Sequence, residues 1–125
     1  MTRIYCWAIV TAAVVSGVGV EGNHNYLTRY AMNETMTIDG RLTELLLRNP
    51  HSFVHVEAPD HEGRLHTWVI EWHAAALLDR EGVTRETLKT GDRVVVVGNP
   101  GRKEEHALFM NSITRPADGW TWGGP

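Results

Sequence analysis

Five of the chain's seven histidines fall in one stretch, NPHSFVHVEAPDHEGRLHTWVIEWH, from Asn49 to His73. Imidazole side chains there suggest three kinds of chemistry. The first is metal binding. Histidines hold zinc or copper, and a strand sets residues i and i+2 on one face about 6–7 Å apart. His51 and His55 share such a face. His66 lies on the following apolar run and is expected to meet His55 across a hairpin. His24 lies upstream on a polar segment; if processing freed an amine nearby, that amine and the backbone amides could add copper ligands. The candidate metal set is therefore His24, His51, His55 and His66. No His-Glu-x-x-His pattern or similarly close-spaced metal signature accompanies it.

The second is acid–base chemistry. His51 and Glu71 suit a base and the carboxylate that orients it, with Ser52 or Thr67 as nucleophile in a small hydrolase. Ser52 lacks the flanking glycines of a nucleophile elbow. The third is ligand binding without reaction. Trp68 and Trp72 share a strand face, as a stacking platform would require. Asn49, His51 and Glu71 bring polar groups to the same region. His51, Trp68, Glu71, Asn49 and Trp72 form the candidate ligand set.

Each group also has a plain structural role. Asn49-Pro50-His51 suits a chain corner, with Pro50 fixing direction and Asn49 bonding local backbone. His61 falls in a turn. His73 ends a strand, and His106 follows Glu104 and Glu105. Asp60, Glu57 and Glu62 suit a solvated hairpin tip better than a glycosidase pair. The tryptophans suit core packing.

The elements that must position these groups are mostly strands. The residues 36–47 alternate as a strand, with Gly40 as its expected bulge; a helix over 41–48 competes. SFVHVEAP and RLHTWVIEW alternate around the turn DHEG and form an antiparallel hairpin. HAAALLDREG favours a helix ending at Gly82. Thr84 starts a second short turn, with Glu86 near its positive end. KTGDR turns into the valine run VVVVG, and ALFMNSITR is a last strand. Three strands, a short helix and two strands is the layout of a five-stranded OB-like barrel, so the fold class is mainly β.

Length and composition agree. The 125 residues make one domain, with 42% hydrophobic and 22% charged residues. A formal charge of −3 and scattered Lys and Arg give no footprint for nucleic acid. The N-terminus carries Arg3 and then an uncharged apolar run over 4–20, the pattern of a secretory signal peptide. The competing reading is an uncleaved anchor, disfavoured by Gly17, Gly19 and the missing cationic flank. Residues 1–22 are thus the expected signal, with cuts conceivable after Gly17, Gly19 or Gly22. Cys6, the only cysteine, lies inside it, so the mature chain needs no disulfide and has no thiol chemistry. Residues 23–35 read as an extended arm whose Tyr26 and Tyr30 can pack on the barrel. Residues 36–116 read as the barrel and 117–125 as a Gly/Trp-rich tail. Asn33-Glu34-Thr35 is a glycosylation triplet, relevant only in a eukaryotic secretory route.

Several of these motifs occur together. NPHS precedes a strand, WVIE lies on the next, L-x(4)-GVTRETLKTGDRVVVVGNP follows, and a late Asp118-Gly119 closes the set. Over about Asn23 to Trp120 the chain resembles an uncharacterised family of small secreted bacterial proteins, a domain of unknown function. Members typically begin with a His-His-Ser-Phe-like stretch, where this chain has Asn23-His24-Asn25-Tyr26. The resemblance implies an exported OB-like domain and brings no activity. The expected function is an exported, periplasmic or secreted, non-catalytic binding module. Its partner would be a protein or small ligand of the envelope, or a metal ion as cofactor. Nucleic acid is not expected, nor a stable membrane anchor once the signal is cleaved.

Overall fold

The computed structural model describes residues 26–124. The expected signal segment and His24 lie outside them. Six strands and one helix follow in order: β1 (Met36–Leu46), β2 (Ser52–Pro59), β3 (Leu65–Trp72), α1 (Ala75–Arg80), β4 (Arg93–Pro100), β5 (Ala107–Arg115) and β6 (Trp120–Gly123). The sheet order is β3-β2-β1-β4-β5-β6, and an added β3–β5 pairing closes the first five strands into a barrel. That closing contact is parallel, with Glu71 opposite Phe109. Every other pairing is antiparallel. The OB-like five-stranded layout therefore holds, with the helix between β3 and β4.

Period-2 burial builds the core. Val54 and Val56 of β2 point inward, as do Trp68, Ile70 and Trp72 of β3. Val94 and Val96 join them from β4, and Leu108, Met110 and Ile113 from β5. Val95 and Val97 are only half-buried, so the valine run still alternates. Leu78 of α1, with Val83 and Leu88 after it, plugs one end of the barrel. The helix stops as expected: Gly82 takes φ 85°, and the Val83 amide donates to the Leu78 carbonyl. Among the described residues no helix is long and apolar enough to cross a membrane.

Three local points are decided by the sheet. The competing helix over 41–48 does not form, because Leu42 and Leu45 pair with Val56 and Val54 in the sheet. The register shift in β1 lies between Leu42 and Glu44, at Thr43 rather than Gly40. Gly40 has another reason to be glycine: a Cβ there would overlap the Glu57 carbonyl oxygen and come within 2.7 Å of the Ala58 Cβ. The Gly/Trp-rich tail packs back on the barrel. Trp120 to Gly123 pair with Arg115 to Ser112 as β6.

The arm lies over the β3–β5 seam. Residues 26–29 make a single helical turn, and the Tyr30 amide donates to the Tyr26 carbonyl. Ala31 donates to the Pro100 carbonyl, and Arg102 donates to the Arg29 carbonyl. The Asn99 amide donates to the Glu34 carbonyl. These bonds tie the arm to the end of β4 and the loop after it.

Candidate functional site

Alternation sends Glu71 out of the barrel while its neighbours Ile70 and Trp72 point in. An outward carboxylate is normally hydrated, yet Glu71 is only 3% exposed. The arm is the cause. Tyr30 crosses the seam above Glu71, and its hydroxyl donates to Glu71 Oε2 at 2.6 Å. His51 Nδ1 meets Glu71 Oε1 at 2.9 Å, and Arg29 Nη1 stands 3.8 Å from Oε2. Both carboxylate oxygens thus have partners, as burial demands. Burial first, and then the bond and charge of Glu71, hold the Tyr30 phenol well above its ordinary range. The phenol therefore stays protonated and remains a donor.

The imidazole is fixed by this contact. With Nδ1 directed at Glu71, its proton belongs on that nitrogen in the neutral ring, and Nε2 carries the free lone pair. The His51 side chain is 38% exposed. His51 lines a groove of about 480 Å³ together with Tyr26, Met32, Pro50, Leu77 and Phe109. Tyr26 stacks on Phe109 with ring centroids 5.2 Å apart, and Tyr30 packs on the same ring at 5.6 Å. Met32 and Leu77 are exposed there.

The corner before β2 positions His51. The Asn49–Pro50 peptide is cis. Asn49 does not bond its own backbone, as the sequence suggests; its Oδ1 accepts from the Ala76 amide. Ala74, the N-cap of α1, supplies no side-chain cap, so Asn49 caps the helix from outside. The Ala75 amide donates to the Arg48 carbonyl. Ser52 is fully buried, and its hydroxyl exchanges hydrogen bonds with the Arg48 amide and carbonyl. The corner and the start of α1 thus form one hydrogen-bonded unit on either side of His51 in the chain.

The remaining candidates are dispersed. Trp68 faces the interior, opposite to Glu71, and its indole N–H donates to the Ala58 carbonyl. It is a core residue and does not share the groove. Trp72 is fully buried at the barrel end, edge-on to Trp122, and borders the groove. His55 and His66 do not meet across the hairpin. Register pairs His55 with Val69 and His66 with Ala58, and the two histidines point to opposite faces. His55 pairs with Glu44 at 3.1 Å. His66 binds Asp60 at 2.7 Å and stacks on His106, with centroids 3.8 Å apart. His73 lies against Trp122. Among the described residues no three His, Cys, Asp or Glu side chains converge to hold a metal ion. Thr67 is exposed on β3, four residues from Glu71.

A family model matches residues 12–109, a span that includes the corner, Glu71 and most of the arm contacts. The chain belongs to DUF6152, a family of unknown function. In this DUF6152 protein the matched span ends at Phe109, so β6 lies beyond it. Among solved structures, the mitochondrial single-stranded DNA binding protein Rim1 of S. cerevisiae is similar to it. That likeness has 17% identity and a TM-score of 0.48, over 65% of this chain and 91% of the other. No curated protein matches the chain.

Sequence reasoning pairs His51 with Glu71 and has Tyr26 and Tyr30 packing on the barrel, but it does not bring the arm to this site. Tyr30, Arg29, Tyr26, Met32 and Phe109 come from the arm and from β5, far from the hairpin in sequence. The isolated tyrosines in an otherwise polar arm were the available signal, because exposed aromatics on a linker need something to pack on.

Proposed function

We propose that this DUF6152 chain is an exported, non-catalytic binding module whose ligand enters the groove beside His51. One observation carries the reading: a buried carboxylate, held by Tyr30 and Arg29, orients His51, and His51 lines a largely apolar, aromatic-walled groove. Small-ligand sites have this composition, mostly apolar with a few convergent polar groups. A hydrolase needs a nucleophile beside the imidazole, and the Ser52 hydroxyl is engaged by the Arg48 backbone instead. Binding rather than turnover is therefore favoured. The binding surface lies at the end where the β2–β3 hairpin, the arm and β5 meet. Export is supported by the uncharged apolar run over 4–20 behind Arg3. A chain of net charge −3 favours an envelope protein or small ligand over nucleic acid.

Ligand-observed NMR with a fragment library tests the groove. Leu77 is exposed on its wall, so Leu77→Glu blocks the groove without opening the core. Fragments that bind the parent chain and lose binding to Leu77→Glu support the reading; a parent chain with no such fragments overturns it. Cell fractionation with intact-mass measurement tests export. An envelope or medium fraction lacking roughly the first 22 residues is expected, and full-length chain retained in the cytosol counts against it.

A further inference from the structure

We propose that the groove beside His51 is a Cu(I) site, with the free ring nitrogen of His51 and the thioether of Met32 as the protein's ligands. The inference rests on the binding reading above and names its ligand. Three features of the groove point to this ion.

The first is the carboxylate behind the imidazole. Histidines that bind metals almost always give their other ring N–H to a carboxylate, which fixes the tautomer and raises the basicity of the ligating nitrogen. Glu71 does this for His51 at 2.9 Å, and it is in turn held by Tyr30 at 2.6 Å. A histidine needed only to brace a corner has no use for a buried, doubly partnered carboxylate. Asn49, Ser52 and the Arg48 backbone already hold that corner.

The second is Met32. It is an exposed hydrophobic residue on the arm, and it lines the same groove as His51. A thioether is a soft, uncharged donor, and with imidazole it selects Cu(I) over hard cations. Zinc prefers four ligands drawn from thiolate, imidazole and carboxylate. Among the described residues no such three-membered set exists, so the donors suit a soft ion that accepts few ligands.

The third is the shell. Tyr26, Phe109, Pro50 and Leu77 line the groove with mostly apolar surface, and His73 also borders it. Apolar walls of this kind offer little to strongly hydrated divalent ions, whereas a soft monovalent ion loses less on leaving water.

Anaerobic titration of the exported form with the coloured Cu(I)–bicinchoninate complex tests the proposal. Loss of chelator colour with one equivalent captured per chain is the expected result. Met32→Leu keeps shape and apolar character and should weaken capture by at least about tenfold. His51→Gln should weaken it more. Glu71→Gln should fall between, by about 10–100-fold, as removal of an outer-shell carboxylate does. If those two variants fail to fold, methyl NMR of the parent chain titrated with Ag(I) decides: the Met32 methyl should shift and saturate at one equivalent. No capture from the chelator, or Met32→Leu capturing as the parent does, overturns the Cu(I) site. Fragment binding in the groove that persists without Cu(I) capture removes the metal assignment alone, whereas loss of both removes the groove reading as well.

Discussion

His51 Nδ1 and Glu71 Oε1 lie 2.9 Å apart, joined across twenty residues of hairpin by a carboxylate that faces away from the barrel core and is nonetheless buried. The contact sets the imidazole tautomer. In the neutral ring His51 should carry its proton on Nδ1, visible in long-range ¹H–¹⁵N spectra, and Glu71→Gln should shift the ring toward a tautomer mixture. A parent chain protonated on Nε2 would contradict the geometry.

Tyr30 supplies the other half of that carboxylate's hydrogen bonding. Tyr30→Phe keeps the stacking on Phe109 but leaves Glu71 Oε2 without its phenol donor. The expected loss is about 1–3 kcal/mol in urea unfolding, with the arm losing amide-exchange protection before the barrel does.

Gly40 faces the Glu57 carbonyl so closely that no Cβ fits without moving backbone. Gly40→Ala should cost about 1–3 kcal/mol or more, read as a lowered denaturation midpoint. The neighbouring Asp39, exposed and paired with Arg93, should tolerate change to Asn with far less effect. Equal losses at the two positions would argue against close strand approach at Gly40.

Trp122 of β6 packs edge-on against Trp72, and its indole N–H donates to Glu81 Oε2 at 2.5 Å. Trp122→Ala should therefore destabilise the whole barrel, by about 1–3 kcal/mol, and should raise the accessibility of Trp72 to a fluorescence quencher. A loose tail would give neither effect.

The turn of the β2–β3 hairpin should respond to acid. The Arg64 backbone amide first, and then His66, hold the Asp60 carboxyl below its usual range. A depressed carboxyl contributes stability that is present above its unfolded value of 3.8 and is lost as pH falls through the lower folded value. Amide exchange at 60–64 should therefore quicken as pH drops below that range, once corrected for intrinsic rates. Asp60→Asn should flatten the dependence.

The barrel was legible in the sequence because alternation is a local signal. SFVHVEAP and RLHTWVIEW show their inward faces residue by residue, and Gly82 shows where the helix stops. The bulge was misplaced because a glycine that allows close strand approach and one that marks a bulge look alike without the partner strand. Whether the Gly/Trp-rich tail packs back is not legible in the sequence, because its four-residue strand is too short to show alternation and its pairing with Arg115 to Ser112 is tertiary.

The site divides along the same line. Sequence alone determined that His51 follows a proline corner, that Glu71 points opposite to Trp68 and Trp72, and that an apolar N-terminal run precedes the domain. Only the tertiary structure decided that His51 and Glu71 touch, that His55 and His66 do not, and that Tyr30, Met32 and Phe109 enclose them. The physical reason is burial. Whether an outward carboxylate is hydrated or held depends on what lies above it, and here that cover is an arm joined to the far edge of β4 by bonds spanning more than sixty residues.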